Sequence, residues 1–443
     1  MFTTLKNAFK IKEIRLKLLF TLAMLVVIRF GSQLPVPGVD IAQFTSWFAS
    51  KVGDSDTSGF LAAFTGGSFE NMSILALNIT PYITSSIIMQ LLTIAIPKLE
   101  EMQKEGEEGR KTIAAITRYV TVGLSLIESI AMAIAFKSSG MLTSSTNTAL
   151  NVITVIATLT AGSAFLMWVG EQITEHGVGN GISIVLVINI ISRIPADIAT
   201  LFNQFVLVEG KPIAVKIVAA LIILAIIVAI VVMVIILSDG VRKIPVQYAK
   251  KVQGRKMVGG NTSSIPLKIN TAGVIPVIFA SSLMSLPIVI CNFFNVRTNG
   301  FWSGVLKVLS SNNWVKPSDP VYSIGLLIYI VLVIFFAYFY TSITFNPLEV
   351  AENMKKSGGF IPGIRPGKPT SDYLTKVLNY IIFIGAAGLT IVCVIPYVFN
   401  GIFGASVSFG GTSLIIIVSV ILETIKQIES QMLVRNYKGF LND

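Results

Sequence analysis

The chain has 443 residues, of which 53% are hydrophobic and only 13% are charged. Soluble domains carry about 25% charged residues, so this composition excludes an ordinary soluble enzyme, a disordered chain and a nucleic-acid-binding globule. Two cysteines, Cys291 and Cys393, and a single histidine are too few for a disulfide framework or a cysteine–histidine metal site. The composition indicates an integral membrane protein, and we expect no cofactor.

Ten apolar runs are long enough to cross a bilayer, for which a helix needs about 20 residues. In chain order they are 18–36, 73–96, 113–136, 152–170, 182–203, 213–237, 271–294, 321–344, 377–399 and 412–432. Pro81 and Pro276 fall inside the second and seventh runs, where a proline predicts a bend within the helix.

The distribution of positive charge predicts the orientation. With the N-terminus inside, 25 of the 34 Lys and Arg residues lie in cytoplasmic segments and 8 lie in outer segments. Lys and Arg concentrate in cytoplasmic loops, so we expect both termini in the cytoplasm. Ten spans divide into two sets of five, residues 1–205 and 206–443. Such halves enter the membrane from opposite sides, which predicts an inverted repeat of the kind common in transport proteins.

The segment 58–71 (SGFLAAFTGGSFEN) is moderately apolar but too short to cross the membrane, and Gly66-Gly67 interrupts it. It suits a re-entrant or interfacial piece, because irregular backbone at membrane depth occurs only where protein or a water-filled cavity surrounds it. A surface amphipathic loop on the outer side is the alternative.

Two pairs of aliphatic residues lie four positions apart, Ile79 with Ile83 and Ile182 with Leu186, so each pair shares a helix face. From spacing alone, lipid contact or ordinary packing is favoured for both pairs. Polar side chains that can hydrogen-bond between helices occur in the second and seventh runs: Thr84, Ser85, Gln90, Ser281 and Ser282. These side chains fit either a contact between the two helices that can open or permanent packing of the helices.

Two cytoplasmic loops are long, 238–270 and 346–376. The first contains Lys250, Lys251, Arg255 and Lys256, and its alternating pattern predicts a β-hairpin around Gln253-Gly254. The second predicts a short helix followed by Arg365, which is framed by Pro and Gly residues. Basic protruding loops attract polyanions or acidic protein surfaces. Ordinary enrichment of positive charge on the inner side explains why these loops are positively charged. It does not explain their length or the Pro and Gly residues around Arg365.

No motif predicts an enzyme: the chain lacks a Walker lysine loop, an HExxH helix and a Ser/His/Asp set. Glu128, inside the third run, favours a rival function, a ten-span secondary solute transporter. Carriers of that class use several intramembrane titratable groups, and this sequence has few.

Six stretches of the sequence resemble the SecY family of protein-translocation channels, which includes Sec61-alpha. They are 77–90 (LNITPYITSSIIMQ), 165–184 (FLMWVGEQITEHGVGNGISI), 248–255 (YAKKVQGR), 266–282 (PLKINTAGVIPVIFASS), 345–367 and 409–414 (FGGTSL). The resemblance covers nearly the whole chain. It implies an all-α membrane fold in which ten transmembrane helices, in two inverted five-helix halves, form a clamshell around a central hourglass pore.

The resemblance also implies site residues. An apolar pore ring would consist of Ile79, Ile83, Ile182, Leu186, Ile278 and Ile416, with Leu186 in place of the usual isoleucine. Segment 58–71 would be the plug, with Phe60, Leu61, Phe64, Gly66 and Gly67, and the polar edges of the second and seventh spans would form a lateral gate into lipid. Arg255 and Arg365, with the neighbouring lysines, would contribute to docking of the motor ATPase SecA and of the ribosome through its rRNA.

The implied function is that of the central protein-conducting channel of a bacterial plasma membrane. Its implied partners are the small membrane subunits SecE and SecG, signal peptides, unfolded preproteins and the lipid bilayer. A second rival is an accessory paralogue that serves a few secreted adhesins, and the long basic loops count against it.

Overall fold

A computed structural model describes residues 8–51, 65–143, 148–206, 213–248, 251–253, 256–258, 262–293, 301–310, 314–315, 320–403 and 411–439. The chain is built mainly from helices. Those before residue 207 are α1 (Lys12–Gly31), α2 (Ile41–Lys51), α3 (Thr80–Ala95), α4 (Pro97–Lys104), α5 (Glu107–Ser138), α6 (Thr148–His176) and α7 (Gly181–Leu201), followed by a π-helical turn, Phe202–Val206. Those after it are α8 (Ile213–Asp239), α9 (Ile275–Phe293), α10 (Phe301–Leu309), a 3₁₀ turn (Pro320–Ser323), α11 (Ile324–Thr344), α12 (Pro347–Lys356), α13 (Lys368–Phe403) and α14 (Gly411–Gly439).

Each of the ten predicted apolar runs coincides with a helix: α1, α3, α5, α6, α7, α8, α9, α11, α13 and α14. By length and hydropathy alone, six helices of the described chain could cross a membrane. The pair α3 and α4, bent by 105° at Ile96, would add a seventh if it counts as one span. The protein is therefore a multi-pass membrane protein. The short helices α2 and α10 were not predicted.

The prediction that Pro81 and Pro276 lie in mid-helix was wrong, although Pro287 does lie inside α9. Helix α3 begins at Thr80 and α9 begins at Ile275, so Pro81 and Pro276 lie in the first turn of each helix. Proline is tolerated there because the N–H that it lacks would have no partner within the helix. Residues 66–79 form turns that lead into α3, which leaves irregular backbone where the sequence pattern indicated a continuous span.

The two long loops share a small antiparallel sheet. Strand β1 (Val241–Tyr248) pairs with β4 (Thr262–Lys268), and its far end pairs with β5 (Gly359–Phe360) in the second loop. Strands β2 (Lys251–Gln253) and β3 (Lys256–Val258) form the hairpin that the sequence predicted. Helix α12 confirms the predicted short helix of the second loop.

The hydrophobic core consists of several clusters. One contains mainly residues of α8, α9, α11, α13 and α14, although Leu201 at the end of α7 also joins it. Another lies within the first part of the chain, around Phe44, Phe69 and Phe136. A third cluster, between these, draws side chains from both parts of the chain. That shared cluster contains the predicted pore ring.

Candidate pore, gate and docking loops

All six predicted ring residues lie in the shared cluster, although they come from distant parts of the sequence. Four of them are buried: Ile79, Leu186, Ile278 and Ile416. Ile83 and Ile182 are partly buried and pack against the same cluster. The structure therefore brings together the start of α3, the start of α7, the start of α9 and the first turns of α14.

Asparagine side chains position two of these helix starts, one as a cap and one through a contact with another helix. The Asn180 side chain accepts hydrogen bonds from the backbone N–H groups of Ile182 (3.1 Å) and Ser183 (3.4 Å), which fixes the first turn of α7. Before α3, Asn78 has a left-handed backbone with a φ of 54°, and its Oδ1 accepts a hydrogen bond from Asn189 Nδ2 at 3.0 Å. This contact joins the approach to α3 to α7. It thereby places the pair Ile79 and Ile83 beside the pair Ile182 and Leu186.

The chemistry of the cluster is aliphatic. Its buried members are all Ile, Leu or Val side chains, which offer no hydrogen bonds. A narrow apolar constriction sheds water and blocks ions. Such a surface can also slide past many different side chains, because it forms no specific polar contact with any of them.

The described part of the predicted plug begins at residue 65. Gly66 and Gly67 have positive φ angles of 62° and 84°, which favour glycine. A Cβ on Gly66 would lie 2.7 Å from the carbonyl oxygen of Asn189, so the turn lies directly against α7. Phe60, Leu61 and Phe64 lie outside the described residues.

The predicted gate residues do not form a single polar patch. The Thr84 hydroxyl donates to the Thr80 carbonyl within α3 at 3.1 Å, and buried Ser85 shares a short hydrogen bond with Thr121 of α5. Ser281 is buried, and its Oγ has no hydrogen-bond partner among the described residues. Ser282 is partly buried on α9. The Thr84 and Ser85 hydroxyls therefore bond within the first half of the chain.

Gln90 is the predicted gate residue that reaches the other half. The Tyr340 hydroxyl of α11 donates a hydrogen bond to Gln90 Oε1 at 2.6 Å. Beside this bond, Ile87 packs on an aromatic cluster in which the Phe279 ring lies 5.4 Å from that of Tyr340 and 5.1 Å from that of Phe336. Sequence reasoning missed these aromatic residues, although the aromatic-rich stretch 335–340 of span eight was the available signal.

The predicted docking residues fall in the two long loops. Arg365 is exposed on a turn between Gly363 and Gly367, which have φ angles of 83° and 100°. The Thr370 hydroxyl donates to the Arg365 carbonyl at 2.8 Å and anchors this turn to α13. Lys251 and Lys256 lie in the β2–β3 hairpin, and Lys250 and Arg255 lie outside the described residues.

Glu128, the feature that favoured a carrier, lies on α5 and is partly buried. It forms no ion pair with any cation in the described part of the chain. Across the same ranges, no group of three or more His, Cys, Asp or Glu side chains could hold a metal ion.

A sequence model of the SecY family matches residues 73–425, which is most of the chain. The chain belongs to the SecY family. A family relative from Halalkalibacterium halodurans, protein translocase subunit SecY, is 43% identical over 450 residues that span both sequences completely. This similarity confirms the predicted function of a protein-conducting channel over the rival solute transporter.

Solved SecY-family structures share the fold. A protein-conducting channel superposes with a TM-score of 0.63 at 20% identity, covering 95% of this chain and 93% of its own. Sec61 in a canine ribosome–channel complex from the endoplasmic reticulum gives a TM-score of 0.63 at 19% identity, again covering 95% and 93%. The predicted all-α membrane fold class is confirmed.

Proposed function

We propose that this SecY-family chain is the central pore subunit of a bacterial plasma-membrane translocon, with both termini in the cytoplasm. It passes unfolded polypeptides across the membrane and releases transmembrane segments sideways into lipid. The observation that carries the proposal is the shared aliphatic cluster, in which six ring residues from four distant elements lie together. At rest this ring blocks ions, and during transport it closes around the passing chain.

The lateral gate is the seam where α3 meets α9 and α11. The Gln90–Tyr340 hydrogen bond and the contact of Ile87 with the aromatic cluster span this seam. Among the described residues, the Gln90–Tyr340 hydrogen bond and a few apolar contacts hold the two halves there. A signal peptide or transmembrane segment can replace those contacts with its own. Burial of apolar surface, at roughly 25 cal/mol per Å², then drives the segment from water into lipid. In this scheme the halves are residues 1–205 and 206–443.

The cytoplasmic sheet and its loops form the docking surface. Arg365 is exposed on a turn stabilised by Thr370, so an acidic surface of SecA or a phosphate group of rRNA can reach its guanidinium. Lys251 and Lys256 lie in the β2–β3 hairpin of the first of these loops. SecE and SecG complete the membrane complex.

The experiment that tests the proposal is site-specific cross-linking from position 278 to a stalled, half-exported polypeptide. A photoreactive residue there is expected to attach to the translocating chain. The matched control is position 222 on α8, where the Ile222 side chain is exposed on the outside of the bundle. Equal labelling from both positions, or none from position 278, would overturn the assignment of the conduit.

A further inference from the structure

Polar contacts with two helices help to hold the turn 65–71 in place. The guanidinium of Arg29, near the end of α1, donates through Nη1 to the Gly66 carbonyl at 3.3 Å. The Arg193 guanidinium of α7 forms an ion pair with the Glu70 carboxylate. We call Arg29, Gly66, Glu70 and Arg193 the outer latch. Two of its members lie on the turn and two lie on separate helices.

The latch lies away from the ring along α7. Arg193 is seven residues beyond Leu186, about 10 Å further along the helix axis. In the predicted orientation, this places the latch on the outer side of the ring. The Arg193–Glu70 ion pair therefore lies at a different level of the pore from the ring, whereas Gly66, which lies against Asn189, is closer to the ring.

The two oppositely charged side chains of the latch, Arg193 and Glu70, stabilise each other. The side chains of Arg193 and Glu70 are 21% and 31% exposed, so most of their surface is withdrawn from water. Arg193 Nε is buried and has no hydrogen-bond partner among the described residues. A partly buried charge that loses its partner is costly. Each of these two side chains therefore favours the state in which the other is beside it.

The nearby serine contributes little to this hold. The Ser192 hydroxyl donates mainly to the Asn189 carbonyl, at 2.7 Å, and lies 3.4 Å from the Gly66 carbonyl. The Gly66 carbonyl therefore depends mainly on Arg29. Departure of the turn breaks one ion pair and one charge-assisted hydrogen bond, which water entering the outer side can replace. It also removes Phe69 from the apolar cluster around Phe44 and Phe136.

We propose that the outer latch, through the Glu70–Arg193 ion pair, holds the turn 65–71 against α7 and so sets how readily the resting channel opens. This inference rests on the proposed function, because it concerns the opening of that same pore. It assigns Arg29, Glu70 and Arg193 as positioning residues. They act on the plug and not on the passing polypeptide.

The test is a double-mutant cycle on the assembled channel in planar bilayers, without motor or substrate. Glu70→Gln and Arg193→Gln are each expected to raise the resting ion conductance roughly five- to tenfold, and the double variant is expected to conduct no more than either single variant. The matched control is Glu107→Gln, which removes the exposed Glu107–Lys111 pair and is expected to leave conductance unchanged. Unchanged single variants, or effects that multiply in the double variant, would overturn the latch.

A second measurement tests the same proposal if the single variants assemble poorly. In a Cys291→Ser, Cys393→Ala background, Glu70→Cys and Arg193→Cys are joined by a short bifunctional maleimide. The joined channel is expected to lose polypeptide translocation, and wild-type translocation by it would refute the latch. Failure of the latch leaves the cross-linking from position 278 intact, whereas failure of that cross-linking removes the conduit itself.

Discussion

At the scale of single residues, the sequence predicted the chemical character of side chains better than it predicted which side chains contact each other. The spacing of Ile79 and Ile83 predicted a shared helix face and favoured either lipid contact or ordinary packing for it. The family resemblance indicated the pore, and the structure places both residues in the shared cluster. Partners such as Glu70 and Arg193 could not be predicted, because 123 positions separate them and neither spacing nor composition encodes such a contact.

Gly66 provides a test at this scale. Gly66→Ala places a side chain at a φ of 62° and 2.7 Å from the Asn189 carbonyl oxygen, so we expect it to destabilise the resting turn by about 1–3 kcal/mol. Resting ion conductance should rise accordingly. Gly67→Ala separates backbone strain from contact with α7. Its φ is also positive, but the atom nearest to the added Cβ is Arg193 Nη1 at 3.9 Å. A Gly66→Ala channel that conducts no more than Gly67→Ala would show that contact with α7 is unimportant.

At the scale of elements, hydrophobic runs located the helices but not their starts. The second run was expected to be helical from residue 73, yet residues before Thr80 form turns and Asn78 is left-handed. Proline in the first turn permits a helix start inside an apolar run, and hydropathy does not register it. Of the two residues in the Gln90–Tyr340 hydrogen bond, the sequence singled out Gln90 but not Tyr340.

Tyr340→Phe tests the gate seam with minimal change in shape. The variant removes the hydroxyl that donates to Gln90, and a net loss of about 1 kcal/mol is expected for such a bond. Because the closed seam is weakened, we expect export of preproteins with defective signal peptides to rise several-fold. Tyr380→Phe is the control, since Tyr380 is exposed on α13. If both variants export these preproteins at the wild-type rate, the hydrogen bond does not hold the gate.

At the scale of the whole molecule, charge counting and run length predicted the class of protein, and the resemblance predicted its family. The joining of the two long loops was not predicted. Strand β5 of the second loop pairs with β1 of the first, at Gln247 opposite Phe360. Pairing between strands about 110 residues apart depends on the fold that brings the loops together, and a two-residue strand gives no sequence signal of its own.

Arg365→Glu tests the docking surface on the assembled complex. The residue is exposed, so we expect normal insertion and folding but loss of motor-driven export in proteoliposomes, because charge reversal repels an acidic docking partner. The control is Lys137→Glu, which changes the net charge equally at an exposed position in the last turn of α5, outside the two long loops. Near wild-type export by Arg365→Glu would remove this residue from the docking surface.

The central claim is that an aliphatic ring seals the idle channel, and its most direct test is the resting ion conductance of Ile278→Ser and Ile83→Gly channels. Both changes remove apolar surface from the shared cluster, so water can enter and ions can follow. We expect both variants to leak and Ile222→Ser, on the exposed face of α8, to stay closed. Ile278→Ser and Ile83→Gly channels that remain as tight as wild type would contradict the claim.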